Sequence, residues 1–220
     1  MKHAPCIALL HYHIQPGGVT RVMQHAVRAL ESQYAFTAIT GENDSIDAMR
    51  DLHCSILELP GLGAMGYARI PSEERASSSL TDIHGMPLGG AGALAERILQ
   101  SAGSSQFYDV CHIHNHSLGK NPVFTEITHQ LAMKGQRLLL QIHDFAEDGR
   151  PRNYNFLRRH LESNHPGAFR RILYPQASHV HYAVLNARDR RMLEQAGVPA
   201  DRLHDLPNPV WLEDRGERQK

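Results

Sequence analysis

The sequence predicts a doubly wound α/β fold built on a mostly parallel sheet, and three observations carry that expectation. Short apolar runs alternate along the chain with segments of helical periodicity. Several of the runs are continuously apolar, the pattern of strands covered on both faces rather than on one. Strands that alternate with helices join through right-handed crossovers, which stack helices on both faces and give a three-layer α/β/α, Rossmann-like architecture. No repeat of fixed period competes with this reading.

Taken in order, "CIALLHYHI" (6–14) reads as a buried first strand. A helix over 19–30 follows, because Val19, Val22, Met23, Ala26, Val27 and Leu30 recur at helical spacing. "AFTAIT" (35–40) and "CSILEL" (54–59) are the second and third strands, and "YDVCHIH" (108–114) is the fourth, with a helix over 122–134. "RLLLQIHD" (137–144) is the fifth strand and "SHVHYAVLN" (178–186) the sixth, followed by a helix over 187–196 and a short last strand, "RLHDLPN" (202–208). Residues 60–90 are rich in Gly and Ser and are expected to form a long flexible insertion loop. The expected organisation is one domain over 1–210 and a polar tail or linker over 211–220.

Composition narrows the function classes. At 220 residues the chain can bury a substantial core. Lys plus Arg (23) balances Asp plus Glu (23), so no global field draws it to nucleic acid or a membrane surface. No run approaches the roughly 18 apolar residues of a membrane span, and the start of the chain reads as a strand, not a signal peptide. Three widely spaced cysteines in apolar runs are expected to be reduced, buried thiols, which implies a cytoplasmic protein. Sixteen histidines keep metal chemistry open.

In doubly wound sheets ligands bind outside the carboxyl ends of the strands, which directs attention to residues 13–18, 114–117, 143–148 and 186–188. Gly17 and Gly18 stand between the first strand and its helix. They read either as a tight turn or as an anion site, where glycine admits close approach and a helix start offers free N–H groups. This turn is not a G-x-G-x-x-G, and no G-x-x-x-x-G-K-[ST] motif occurs in the chain. His112, His114 and His116 in "HIHNH" alternate along the fourth strand. With His143 and Asp144 they read either as a metal cluster suited to Zn²⁺ or as a polar cleft holding no metal. His143 and Asp144 read as an acid/base pair, or as an incidental His beside a capping Asp. Arg150 and Arg152, in the loop after the fifth strand, are placed to meet an anionic acceptor. Arg158, Arg159, Arg170 and Arg171 read as a solvated helix face.

The order of these features, "PGGVTRVM", "YDVCHIHNH", "LLLQIHD" and then "ASHVHYAVLNARDRRMLEQAGVPADRLHDLPNPV", resembles the N-terminal half of glycosyltransferase family 4 enzymes of the GT-B type. The resemblance covers about residues 6–210. Pro209 stands where the family commonly has Gly, and Asn186 where Ser is common. It implies transfer of a hexosyl unit from a nucleotide sugar to an acceptor hydroxyl, with no bound metal or other cofactor. It places Gly17 and Gly18 at the donor diphosphate and His143 beside the transferred sugar, and His143 and Asp144 are the expected catalytic residues. His114, His116, Arg150 and Arg152 fall on the acceptor side. The family's Glu-x₇-Glu motif is absent, so the donor-binding C-terminal domain is expected to come from elsewhere, in cis or in trans, and this domain alone is expected to be inactive. Nucleic acid is not an expected partner, and peripheral membrane association follows only from a lipid acceptor. The reading from another class is a metal-dependent hydrolase using His114, His116, His143 and Asp144; a third is a non-catalytic binding module.

Overall fold

In the computed structural model, which describes residues 5–42, 47–64 and 90–209, seven strands form one sheet in the order β3-β2-β1-β4-β5-β6-β7. Every neighbouring pair is parallel. The strands are β1 (Cys6–His13), β2 (Ala35–Glu42), β3 (Cys54–Glu58), β4 (Val110–His114), β5 (Leu138–Gln141), β6 (Val180–Val184) and β7 (Leu203–Asp205). The helices are α1 (Gly18–Leu30), α2 (Asp47–Arg50), α3 (Ala91–Gln100), α4 (Pro122–Met133), α5 (Pro151–Asn164), α6 (Phe169–Leu173) and α7 (Ala187–Gln195). The expected Rossmann-like α/β fold is the fold of the chain.

Two cores follow from the period of two along each strand. Ala8, Leu10 and Tyr12 of β1 face a core shared with Ile98, Phe124, Leu157 and Leu193, which come from α3, α4, α5 and α7. Leu9 faces the other way, toward Met23 and Val27 of α1 and Met49 of α2. Register carries this second face across the sheet: Leu9 lies beside His112 and His114 beside Gln141. The α1 face is therefore apolar over β1 and β2 but polar over β4 and β5.

Six of the seven strands are shorter than the runs that announced them, whereas β2 runs two residues past its own, to Glu42. Ile142 is buried beyond the end of β5, since apolar residues continue into the loop after hydrogen-bond pairing has stopped. Four helices were not read from the sequence, the four-residue α2 among them. The short α3 emerges from the Gly/Ser-rich stretch, and α6 is a five-residue piece. The polar α5 buries only Asn153, Leu157 and Leu161, at helical spacing behind Pro151. Of the expected 60–90 loop, Pro60–Leu62 form a 3₁₀ turn. Residues 65–89 and the expected 211–220 tail lie outside the described residues. All three cysteines are free: Cys111 is buried and Cys6 and Cys54 are half-buried. Among the described residues no helix is long and apolar enough to cross a membrane.

The strand order reverses between β1 and β4, because β2 and β3 lie on one side of β1 and β4–β7 on the other. Successive crossovers leave in opposite directions there, opening a crevice beyond the carboxyl ends of the two strands. One lip of the crevice, residues 115–121, is tightly built. Gly119 has φ +76°, and a Cβ on it would stand 2.6 Å from the Asn153 carbonyl oxygen. The Asn153 amide in turn donates to Leu118 O at 3.0 Å. Asn121 caps α4 by accepting from the Val123 amide at 2.9 Å, while its Nδ2 donates to the carbonyls of Gly61 and Gly63. Gly119→Ala combines left-handed backbone strain with a backbone clash, so it is expected to lower unfolding free energy by about 2–4 kcal/mol; urea denaturation followed by circular dichroism measures this, and a cost below about 0.5 kcal/mol would contradict it.

Candidate functional site at the strand-order reversal

The crevice contains a pocket of about 180 Å³. His11, His13, Gly17 and Gly18 line it from β1 and the turn that follows, Asn115 and Lys120 from the loop after β4, and Asp144 and Arg150 from the loop after β5. Three loops that are far apart in sequence converge because β1, β4 and β5 are adjacent and parallel.

Gly17 and Gly18 are exposed at the start of α1. Gly17 is extended (φ 177°, ψ 176°), a conformation open to any residue. A Cβ on Gly18 would meet nothing within 4 Å, and one on Gly17 would meet only Gln15 O, at 3.7 Å. The bend therefore does not need its glycines; what they provide is bare backbone facing open space. The helix start has no side-chain cap and no acidic residue in its first turn, so the positive end of the α1 dipole meets the pocket without a built-in counter-charge.

Asn115 organises the opposite lip. It is buried and left-handed, with φ 57°, a conformation that asparagine tolerates better than most residues. Its Oδ1 accepts from the backbone amides of His143 at 2.7 Å and Asp144 at 3.1 Å. Its carbonyl accepts from the buried Tyr12 hydroxyl at 2.8 Å. Asn115 thereby joins β1, β4 and the loop after β5. Asp144 pairs with Arg150 at 3.0 Å, with side-chain exposures of 45% and 40%; a pair this wet contributes at most about 1 kcal/mol.

Behind the pocket the imidazoles are packed against one another. His112 and His114 are 4.2 Å apart between ring centroids, and His114 stacks on His143 at 5.3 Å. One proton is shared between His114 Nδ1 and His143 Nε2 across 3.0 Å. Burial pushes His11 down to about 3 and His112 and His116 to about 4, and it holds His114 well below the ordinary value. Burial also lowers His143, against the opposing pull of Asp144 and Asn208. These rings are neutral near pH 7, and their hydrogen bonds define their tautomers.

The structure brings together part of the residue set expected from sequence. Gly17, Gly18, Asp144 and Arg150 line one pocket. His143 lies in the adjoining bend, not in the pocket lining, and His114 is fully buried behind it. His116 is turned away: it lies beyond β4, where strand alternation no longer holds, and its Nε2 donates to Leu173 O at 2.9 Å. Arg152 is exposed in the first turn of α5, outside the pocket. Arg158, Arg159, Arg170 and Arg171 are exposed, as expected for a solvated face. The four residues of the hydrolase reading do not converge on a common point, since His114 and His143 bond each other, Asp144 pairs with Arg150 and His116 faces Leu173. Among the described residues no group of three or more His, Cys, Asp or Glu side chains is arranged to hold a metal ion. Sequence reasoning missed His11 and Lys120, and it passed over Asn115 although the residue lies within the 114–117 strand end it inspected. An Asn just past a strand end and a Lys between a glycine and a capping Asn, "NHSLGKN", were the available signals.

No protein-family model matches the chain. It is 28% identical over 213 residues to a mannosylglucosyl-3-phosphoglycerate synthase of Petrotoga mobilis, an alignment covering 92% of this chain and 36% of that protein. Among solved structures it resembles Anabaena HepE in complex with UDP and glucose, with a TM-score of 0.53 and 13% identity, over 93% of this chain and 44% of that one. It also resembles the glycotransferase of kitacinnamycin, with a TM-score of 0.53 and 11% identity, over 100% of this chain and 55% of that one. The fold is thus glycosyltransferase-like, and the chain spans between about a third and about half the length of the proteins it matches.

Two predictions follow from this geometry. Histidines whose folded-state pKa lies below the free value of about 6.5 bind fewer protons folded than unfolded, so their contribution is complete above pH 6.5 and is lost as pH falls toward 4 and 3. Urea midpoints are expected to be level from pH 8 to 7 and to fall steeply between pH 6 and 4; a flat profile would contradict the buried neutral stack. Asn115→Ala leaves two backbone amides without their acceptor and is expected to lower stability by about 2–4 kcal/mol. A loss under about 1 kcal/mol in the same assay would show that the carboxamide is dispensable.

Proposed function

We propose that this chain is the acceptor-side, N-terminal domain of a metal-independent GT-B glycosyltransferase of the family 4 kind, acting on a nucleotide sugar and an acceptor hydroxyl. The observation that carries the reading is the turn at Gly17 and Gly18. These two glycines are not required by the backbone, they face open space, and they sit at an uncapped helix start inside the pocket at the strand-order reversal. A diphosphate approaching that helix start meets N–H donors and a favourable dipole with no side chain in the way. The fold likeness to two glycosyltransferase structures, one holding UDP and glucose, supports the same reading.

In the proposed reaction the acceptor oxygen forms a bond to the anomeric carbon of the sugar while the bond from that carbon to the diphosphate breaks. The acceptor proton passes to solvent, and the diphosphate leaves with the electron pair of the broken bond and its negative charge. The α1 start stabilises that charge. His143, positioned by Asn115 and His114, and Asp144, held by Arg150, flank the transferred sugar. The acceptor lies toward Lys120 and Arg150. The name of the Petrotoga relative describes a glycosylated phosphoglycerate, and an anionic acceptor suits a pocket lined by these two cations. A pocket of about 180 Å³ is smaller than the roughly 300–1,000 Å³ of a complete small-molecule site. It serves here as one wall of a cleft whose other wall is a second domain, in cis or in trans. A cytoplasmic setting belongs to this reading and accords with three unpaired cysteines.

Incubated alone with a panel of nucleoside diphosphate sugars and hydroxy-acid acceptors, the chain is expected to show little or no transfer; robust turnover would refute the need for a second domain. Gly18→Ala separates ligand from bend. Stability is expected to stay level or rise by up to about 1 kcal/mol, as alanine replaces glycine at a helix start. Binding of a nucleoside diphosphate, read by titration calorimetry, is expected to weaken several-fold. A variant that loses stability and keeps its affinity would return this turn to a purely structural role.

A further inference from the structure

We propose that His11 and Lys120 form a subsite for a hydroxyl that stands next to an anionic group, with His11 Nε2 accepting the hydroxyl hydrogen and the Lys120 ammonium holding the anion. The inference rests on the preceding reading in one respect: the donor occupies the α1 start and leaves this side of the pocket to the acceptor.

His11 lines the pocket and is only 4% exposed. Its Nδ1 lies 3.0 Å from the His13 carbonyl oxygen, and the His13 amide N–H points at the same atom from 3.4 Å. The carbonyl can only accept, and it makes the shorter contact, so Nδ1 carries the proton and Nε2 presents a bare lone pair. No hydrogen bond engages Nε2 among the described residues. The ring lines a polar pocket, and an unprotonated ring nitrogen repels the oxygens of a phosphate or carboxylate, so a group that meets Nε2 must bring a hydrogen. Burial above all, with smaller contributions from His13, His143 and Lys120, keeps the ring neutral near pH 7. So weak a base cannot retain a proton taken from a hydroxyl, and its part is to orient that hydroxyl, not to ionise it.

Lys120 supplies the complementary half. It is half-buried, lines the same pocket, and its charge reaches both His11 and His13. Arg150, the other pocket cation, is engaged by Asp144 at 3.0 Å, whereas no ion pair or hydrogen bond engages the Lys120 ammonium among the described residues. A hydroxyl acceptor beside an uncommitted cation selects a hydroxy acid or a phosphorylated polyol over either a neutral polyol or a bare anion.

The test is an amide-shift NMR titration of the whole chain with D-glycerate, glycerol 3-phosphate, glycerol and inorganic phosphate, repeated on His11→Phe and Lys120→Met. At least one of the first two compounds is expected to bind about tenfold more tightly than glycerol or phosphate, and the tighter of them identifies the anion as carboxylate or phosphate. His11→Phe is expected to erase the preference over inorganic phosphate while leaving phosphate binding in place. Lys120→Met is expected to weaken both acids about tenfold. Equal binding of glycerol and the acids, no binding of either acid, or identical effects of the two variants would overturn the subsite. If His11→Phe does not fold, nitrogen-15 imidazole spectra of the wild-type chain decide. His11 Nε2 is expected to resonate as an unprotonated nitrogen and to move with the bound acid but not with phosphate; a protonated Nε2 overturns the proposal. Binding of UDP and its weakening in Gly18→Ala report on the functional reading separately, so failure of the subsite with UDP binding intact is distinguishable from failure of that reading.

Discussion

The buried, left-handed Asn115 is the constraint on which the site depends. Its side chain stands in for a missing strand partner: past the end of β5, where the ladder no longer supplies acceptors, Oδ1 takes the amides of both His143 and Asp144. Its carbonyl in turn receives the Tyr12 hydroxyl from β1. A buried amide left without an acceptor costs about 1–3 kcal/mol, so these bonds hold the loop after β5 to the loop after β4 with a force that surface ion pairs do not match. Gly119 and Asn121 extend the same lip. The first lets the chain pass against Asn153, and the second ties the α4 start to residues 61–63.

This rigid lip faces a wall of different character. At α1 the polar groups are backbone N–H donors with no side-chain cap; at the lip they are a half-buried lysine and an arginine-bound aspartate. Between and behind them lies a stack of neutral imidazoles. Burial costs a protonated ring far more than a neutral one, which is why so many histidines sit together here without repelling. The bare helix start and the two cations give the pocket groups that suit anions, and its neutral histidines give it groups that suit hydroxyls.

Much of the fold was legible in the sequence because parallel strands are buried on both faces and announce themselves as apolar runs. All seven strands were located to within a few residues, and so were α1, α4 and α7. The misses have a common cause. Helix α5 is polar on most of its surface and buries only a narrow stripe, so its periodicity is faint. The overlong strand limits came from apolar residues such as Ile142, which are buried by loops and not by a ladder. At the site, residue types with familiar chemistry drew attention, and Asp144 and Arg150 do meet in the pocket while His143 and His114 meet behind it. His116 did not follow them, because the strand ends two residues earlier and the chain turns at Asn115.

The sequence by itself determined the layer architecture, the order of its elements and the bare glycine turn at the head of α1, since hydrophobic period and backbone chemistry are local properties. Only the tertiary structure decided which side chains share a pocket. Whether His11 presents Nδ1 or Nε2, whether Lys120 is committed to a carboxylate, and whether His116 faces the cleft or Leu173 depend on loops brought together by β1, β4 and β5. Those contacts join residues about a hundred positions apart, and no local pattern records them.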